Sequence, residues 1–148
     1  MRVRIIPPVW FLLTLVLMYL ADRFMPLAEV FPNPSNLAGL APALAGALLA
    51  AIAANEFRKA ETTVRPFEES SALVISGPFR FTRNPMYLGM VITLCGIAMV
   101  LGSLSSWLPV PAFGWLIQTR FVVREEQIMS EKFGDDYQKY RQRVRRWF

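Results

Sequence analysis

The stretch "SGPFRFTRNPMYLGMVITLCGIAMVLG", residues 76–102, decides how this chain folds. It opens with Arg80 and Arg83 set among two prolines, then runs from Asn84 to Gly102, nineteen residues, without a charge. A charge-free run of about that length crosses ~30 Å of hydrocarbon as an α-helix. Asn84 is a good N-cap and Pro85 a good first helical residue, so a helix is predicted to start there. Its free N–H groups and positive dipole end then lie beside Arg80 and Arg83, an arrangement suited to an anionic group. The same arginines also read as flanking cations that snorkel to phosphate headgroups, and both readings stay open. Gly77-Pro78 marks a turn. The short apolar "SALVIS" before it reads as an extended or strand-like piece.

Three further apolar runs surround this one. Residues 5–21 ("IIPPVWFLLTLVLMYLA") and 37–54 ("LAGLAPALAGALLAAIAA") carry no charge, and a fourth run covers 104–119, extended as a helix to about 123. The first is too long for a signal-peptide core, and no small-residue cleavage site follows it. Four spans are therefore expected: about 5–21, 37–54, 85–102 and 104–123, in one membrane domain over 1–148. Composition agrees, because 54% of the 148 residues are hydrophobic and only 18% charged, whereas a soluble domain carries about 25%. The single cysteine, Cys95, excludes a disulfide framework, and with no histidine the usual metal ligand and general base are missing. No metal site is expected.

The cations orient the spans. Arg23 alone lies between the first two runs; the other fifteen of sixteen precede the first, lie in the 55–84 loop, or follow the fourth. The positive-inside rule places both termini, the 55–84 loop and the 124–148 tail in the cytoplasm. The expectation is an integral protein of a bacterial inner membrane. A net charge of +5 is then explained by topology, without nucleic acid.

Within this frame, "AGLAPALAGALLAA" is a small-residue surface that lets helices approach closely; it offers a helix-contact face and leaves the oligomeric state open. Pro109 and Pro111 are expected to break or bend the fourth span. After it comes "TRFVVREEQIMSEKFGDDYQKYRQRVRRWF". Phe133, Tyr137, Tyr140 and Val144 recur at helical spacing, predicting a cytosolic amphipathic helix, with Gly134 separating two helical pieces. The basic end, Arg141 to Arg146, reads as an interfacial anchor. Glu125 and Glu126 do not, because anionic headgroups repel them. Adjacent helical residues point about 100° apart, so one carboxylate is expected to face inward and the other solvent or Arg120 or Arg124.

Together these segments resemble the isoprenylcysteine carboxyl methyltransferase and phospholipid methyltransferase family of integral membrane enzymes. The resemblance rests on "LVISGPFRFTRNPMYLG", a helical hairpin, then "REE" and "FGDDYQKYRQRV", and it covers residues 72–146. It implies an all-α membrane protein that takes S-adenosylmethionine as cofactor at the cytosolic end of the last helices. Carried over by position, Leu73 and Val74 line the adenosine and Phe79 takes the aromatic position. Arg83, Asn84, Pro85, Met86 and Tyr87 form the turn around the cofactor. Glu125 or Glu126 faces cofactor or substrate, and Arg120 matches the family's substrate-side arginine. Where many members have His, this chain has Asn84, which cannot shuttle a proton. The implied partners are membrane lipids and a lipophilic small-molecule or lipid acceptor, either a lipid amine or an isoprenoid-type carboxylate. A non-catalytic four-helix membrane protein is the alternative. A small transporter would need an ionisable residue deep in a span, and the four runs contain none. The related sterol reductases share the architecture in much longer chains.

Overall fold

The computed structural model describes residues 6–60 and 72–148; Arg2, Arg4 and Arg65, three of the cations used to orient the chain, lie outside the described residues. Among the described residues five α-helices follow one another: α1 (Pro7–Phe24), α2 (Leu40–Lys59), α3 (Pro85–Leu101), α4 (Pro109–Ile117) and α5 (Val123–Arg143). Short 3-10 turns at Ser35–Gly39, Gly77–Arg80 and Leu104–Trp107 lead into α2, α3 and α4. Among the described residues extended pairing is confined to isolated bridges, Glu29 with Ser103 and Thr82 with Arg145. "SALVIS" forms no strand in its described part, 72–76.

The helix starts follow proline. Pro7, Pro85 and Pro109 each stand in the first helical positions, where a missing N–H leaves no bond unmade. That position also corrects the expected kink. Pro109 opens α4 directly after the 3-10 turn and Pro111 still lies in its first turn, where a missing N–H costs less than in the helix interior. The irregularity falls later, in a π turn at Gln118–Val122 that joins α4 to α5 without a break in direction of the chain. The α5 axis breaks at Gly134, whose φ of +48° and ψ of −121° suit only glycine. This is the expected divide between two helical pieces.

α2 and α3 form the tightest contact. A Cβ on Gly46 would sit 2.5 Å from the carbonyl oxygen of Gly89, and one on Gly89 2.5 Å from that of Gly46. Gly39 and Gly96 meet in the same way one level along. Thr93 Oγ1 reaches across to the Ala43 carbonyl at 3.3 Å. The small-residue surface is therefore filled from within the chain, by α3.

α3 ends at Gly102, where a φ of +92° reverses the chain and the Val30 and Phe31 amides bond its carbonyl. The returning α4 packs with α1 and α3 around Met18, Leu94, Ala98, Val110, Phe113 and Ile117, with Phe11 edge-on to Phe113 at 6.2 Å. Among the described residues two helical stretches, Pro7–Phe24 and Ser35–Lys59, are long and apolar enough to cross a membrane; α3 is apolar but has 17 residues. The outer faces of α1 and α2 expose Leu12, Val16, Leu20, Leu44, Leu48 and Ile52.

Candidate active site

The site begins with the turn ahead of α3. Ser76 Oγ donates to the Glu56 carboxylate at the end of α2, and Lys59 Nζ donates to the same carboxylate at 2.7 Å. The 3-10 turn that follows buries Phe79 edge-on against Phe57, ring centroids 5.3 Å apart. Val74, Phe79 and Met86 thereby join Ala53 in one apolar cluster. Leu73 is half-buried beside it. Tyr140 in α5 donates its hydroxyl hydrogen to the Phe79 carbonyl at 2.7 Å, which seats the tail helix on the turn.

Residues 82–84 are then clamped by the segment after α5. The Arg83 amide donates to the Arg145 carbonyl at 2.9 Å. Thr82 Oγ1 and Asn84 Nδ2 both donate to the Arg146 carbonyl, at 3.1 and 3.0 Å. Asn84 therefore holds the N-cap position of α3 without capping it by its side chain. Its amide is spent on a chain segment 62 residues away. Pro85 is buried beneath it.

The two glutamates are both turned inward, which corrects the expectation that one would face solvent or Arg120 or Arg124. Glu125 accepts the Tyr87 hydroxyl hydrogen at 2.7 Å. Glu126 accepts two hydrogen bonds from Arg146, Nε at 2.9 Å and Nη2 at 2.7 Å, and lies 3.2 Å from Arg83 Nη2. The 100° between neighbours holds, but the start of α5 is enclosed on two sides. α3 covers one direction and segment 145–147 the other. The basic end of the tail is correspondingly no plain anchor, since the half-buried Arg146 pairs with Glu126.

Arg120 is not brought to this cluster; it is exposed on the π turn. The guanidiniums that hold Glu126 are Arg83 and Arg146 instead. Sequence reasoning passed over Arg146, Glu56, Thr82 and Tyr140 as site residues. Their partners lie 20 to 64 residues away in the chain, beyond the reach of any local pattern.

Electrostatics separates the two carboxyls. Burial pushes Glu125 up to about 7, against the opposing pull of the Tyr87 hydrogen bond. It is thus poised between carboxylic acid and carboxylate near neutrality. Burial also raises the phenols of Tyr137 and Tyr140, keeping them neutral donors. Glu126, between two guanidiniums, has its charge answered within the protein.

Comparison with known proteins gives this geometry a context. The chain is 40% identical over 62 residues to an uncharacterized protein of Haemophilus influenzae, covering 42% of this chain and 98% of that one. It is 33% identical over 72 residues to the protein-S-isoprenylcysteine O-methyltransferase of Schizosaccharomyces pombe, covering 49% of this chain and 30% of that enzyme. The family model of the phospholipid methyltransferases matches residues 34–136, a range that holds both the 83–87 turn and the Glu125-Glu126 pair, and the chain belongs to that family.

Proposed function

We propose that this chain is an integral membrane methyltransferase that uses S-adenosylmethionine to methylate a lipophilic acceptor. The observation that carries the reading is the convergence of the 83–87 turn with Glu125 and Glu126, inside the range matched by the family. The fold proposed with it is a single membrane domain of four spans, α1, α2, α3 and the α4 rod, with both termini and the tail helix on the cytoplasmic side. The exposed apolar faces of α1 and α2 support lipid contact.

The side chains fit such a cofactor. A ligand carrying a sulfonium and an ammonium calls for a carboxylate not already neutralised, and Glu125 answers this with a phenol for partner where Glu126 has two guanidiniums. Leu73, Val74, Phe79 and Met86 offer an apolar bed, and Asn84, Pro85 and Tyr87 frame it. When bound, the cofactor supplies an electrophilic methyl group. Glu125 would give up its proton and hold positive charge. Tyr87 would orient that carboxylate, and Glu126 would fix the turn and segment 145–147 in place. In-line methyl transfer depends chiefly on positioning and water exclusion, which such an enclosed arrangement favours. Arg120 carries no part in this proposal.

The test is calorimetry of the purified protein in a non-ionic detergent with S-adenosylhomocysteine. Saturable binding is expected, weakened severalfold or more in Tyr87→Ala. Methyl transfer from labelled S-adenosylmethionine to a membrane lipid extract should be lost in Glu125→Gln. Absence of binding by the unaltered protein would overturn the reading.

A further inference from the structure

Glu56 is a buried carboxylate outside the 83–87 turn and the Glu125-Glu126 pair. It lies in the last turn of α2, and its side chain is 10% exposed. Its two oxygens are divided: one accepts from Lys59 Nζ at 2.7 Å, the other takes the hydroxyl hydrogen of Ser76. Lys59 is largely exposed and reaches the carboxylate from solvent. Ser76 stands 20 residues further along the chain, immediately before the 3-10 turn Gly77–Arg80. Burying a carboxylate costs free energy that an apolar residue of similar size would not.

Two observations show what this carboxylate holds. Ser76 occupies the N-cap position of the 3-10 turn, where a serine hydroxyl ordinarily accepts an N–H of the turn. It makes no such cap and donates to Glu56 instead. The Gly77 that follows has a φ of +55°, and a Cβ there would sit 3.0 Å from Glu56 Cγ and 3.1 Å from Cδ. The backbone of the turn is thus laid directly on the glutamate side chain, in a conformation that favours glycine. Ala53, Glu56 and Phe57 share one face of α2 by their spacing. On that face Phe57 stands edge-on to Phe79, and Ala53 clusters with Val74 and Phe79. The polar contact and the apolar contacts beside it fasten one turn to one helix.

We infer that Glu56 is a positioning residue, which acts through Ser76 and Gly77 to hold Val74 and Phe79 where the cofactor is seated. Apolar packing is non-directional, so Ala53, Phe57, Val74 and Phe79 alone leave the turn free to slide along α2. A directed hydrogen bond and a close glycine contact fix its height and register. Lys59 answers the charge of the carboxylate that does this. The inference rests on the methyl-transfer reading for the identity of the ligand. It goes further by assigning part of the affinity to a residue that does not touch the ligand.

Ser76→Ala is the gentlest probe, because Ser76 is exposed and Glu56 keeps Lys59. Calorimetry in non-ionic detergent reads S-adenosylhomocysteine affinity for the unaltered protein, Ser76→Ala, Glu56→Ala, Glu56→Gln and the double variant Ser76→Ala/Glu56→Ala. Each alanine change should raise Kd about three- to tenfold, and the double variant no more than Glu56→Ala alone. Glutamine keeps an oxygen for the Ser76 hydrogen, so Glu56→Gln should stay within about twofold of the unaltered protein. In methyl transfer to a membrane lipid extract, KM for S-adenosylmethionine should rise with Kd while kcat changes by less than about twofold. A merely structural role has another signature: binding stoichiometry and kcat fall together at unchanged Kd. An unchanged Kd in Ser76→Ala or in Glu56→Ala, or additive effects in the double variant, overturns the inference. So does a Glu56→Gln as weak as Glu56→Ala, because charge rather than placement is then what was lost. Each of these results leaves methyl transfer standing. If the unaltered protein binds no S-adenosylhomocysteine, the methyl-transfer reading falls and this inference with it.

Discussion

Replacing Glu126 with glutamine removes the one anion shared by two guanidiniums, and the structure sets the size of the effect. Arg83 is 8% exposed and lies 3.2 Å from the carboxylate, whereas Arg146 is 34% exposed at 2.7 Å. At an effective dielectric of about 20, unit charges at the Arg83 distance attract by roughly 5 kcal/mol before desolvation. Breaking a buried pair by removing one partner costs about 3–5 kcal/mol, because the remaining charge is left uncompensated. Arg146, a third exposed, recovers water and adds little. Glu126→Gln should therefore lower stability by about 3–5 kcal/mol, a melting shift on the order of 10 °C. Arg83→Gln should cost clearly less, because Glu126 keeps its two hydrogen bonds from Arg146. The double variant Arg83→Gln/Glu126→Gln should fall less than the sum of the two. The assay is thermal unfolding in detergent, followed by circular dichroism, on all four proteins. A Glu126→Gln protein as stable as Arg83→Gln would refute the view of an over-shared carboxylate and a nearly sealed cation.

Two further outcomes can be checked on the same preparations. The folded-state value of Glu125, about 7, stands above its ordinary 4.5, so its contribution to stability is fully present below about pH 4.5 and fades as pH rises through about 7, by up to about 3 kcal/mol. Melting temperatures from pH 5 to 8 should fall more steeply for the unaltered protein than for Glu125→Gln; parallel curves would count against the raised value. Glycine-to-alanine changes should split by site: Gly46→Ala collides with the Gly89 carbonyl and should destabilise strongly. Gly114→Ala enters open space and should be neutral or stabilising by up to ~1 kcal/mol, read by the same thermal unfolding.

Much of the fold was legible because proline and glycine punctuate it. The third helix starts at Pro85 as the Asn84-Pro85 pair implies, and the divide at Gly134 lies where the tail pattern breaks. α1 and α2 are displaced by two to five residues toward higher numbers from the apolar runs of 5–21 and 37–54, because helices run on past the last apolar residue to polar ends such as Asn55–Lys59. The prolines of the fourth span misled for a positional reason. Composition shows that a proline lies in an apolar run but not that the helix begins there, after a 3-10 turn at Leu104–Trp107. The site was legible only as two segments. That Tyr87 meets Glu125, and Arg83 meets Glu126, follows from the return of the α4 rod along α3. That Arg146 closes over both follows from a chain reversal after Arg143 that no local spacing announces.

The separate roles of the two glutamates bear on what the chain can methylate. Glu126 is bound to arginine on two sides and serves to hold the turn and segment 145–147 together. Glu125 is the carboxyl free to change protonation near neutrality. An amine acceptor would have to lose a proton before attack and approach past Arg83 and Arg146, whose charge raises the cost of bringing a second cation near. A carboxylate acceptor needs no base and is drawn by the same charges. Histidine is absent from the chain, and Asn84 spends its side chain on the Arg146 carbonyl. On the proposed reading, these facts share one physical sense. A site that pairs two guanidiniums with Glu126, and whose other carboxyl, Glu125, is given on this reading to the charge of the cofactor, is suited to a nucleophile that arrives already deprotonated.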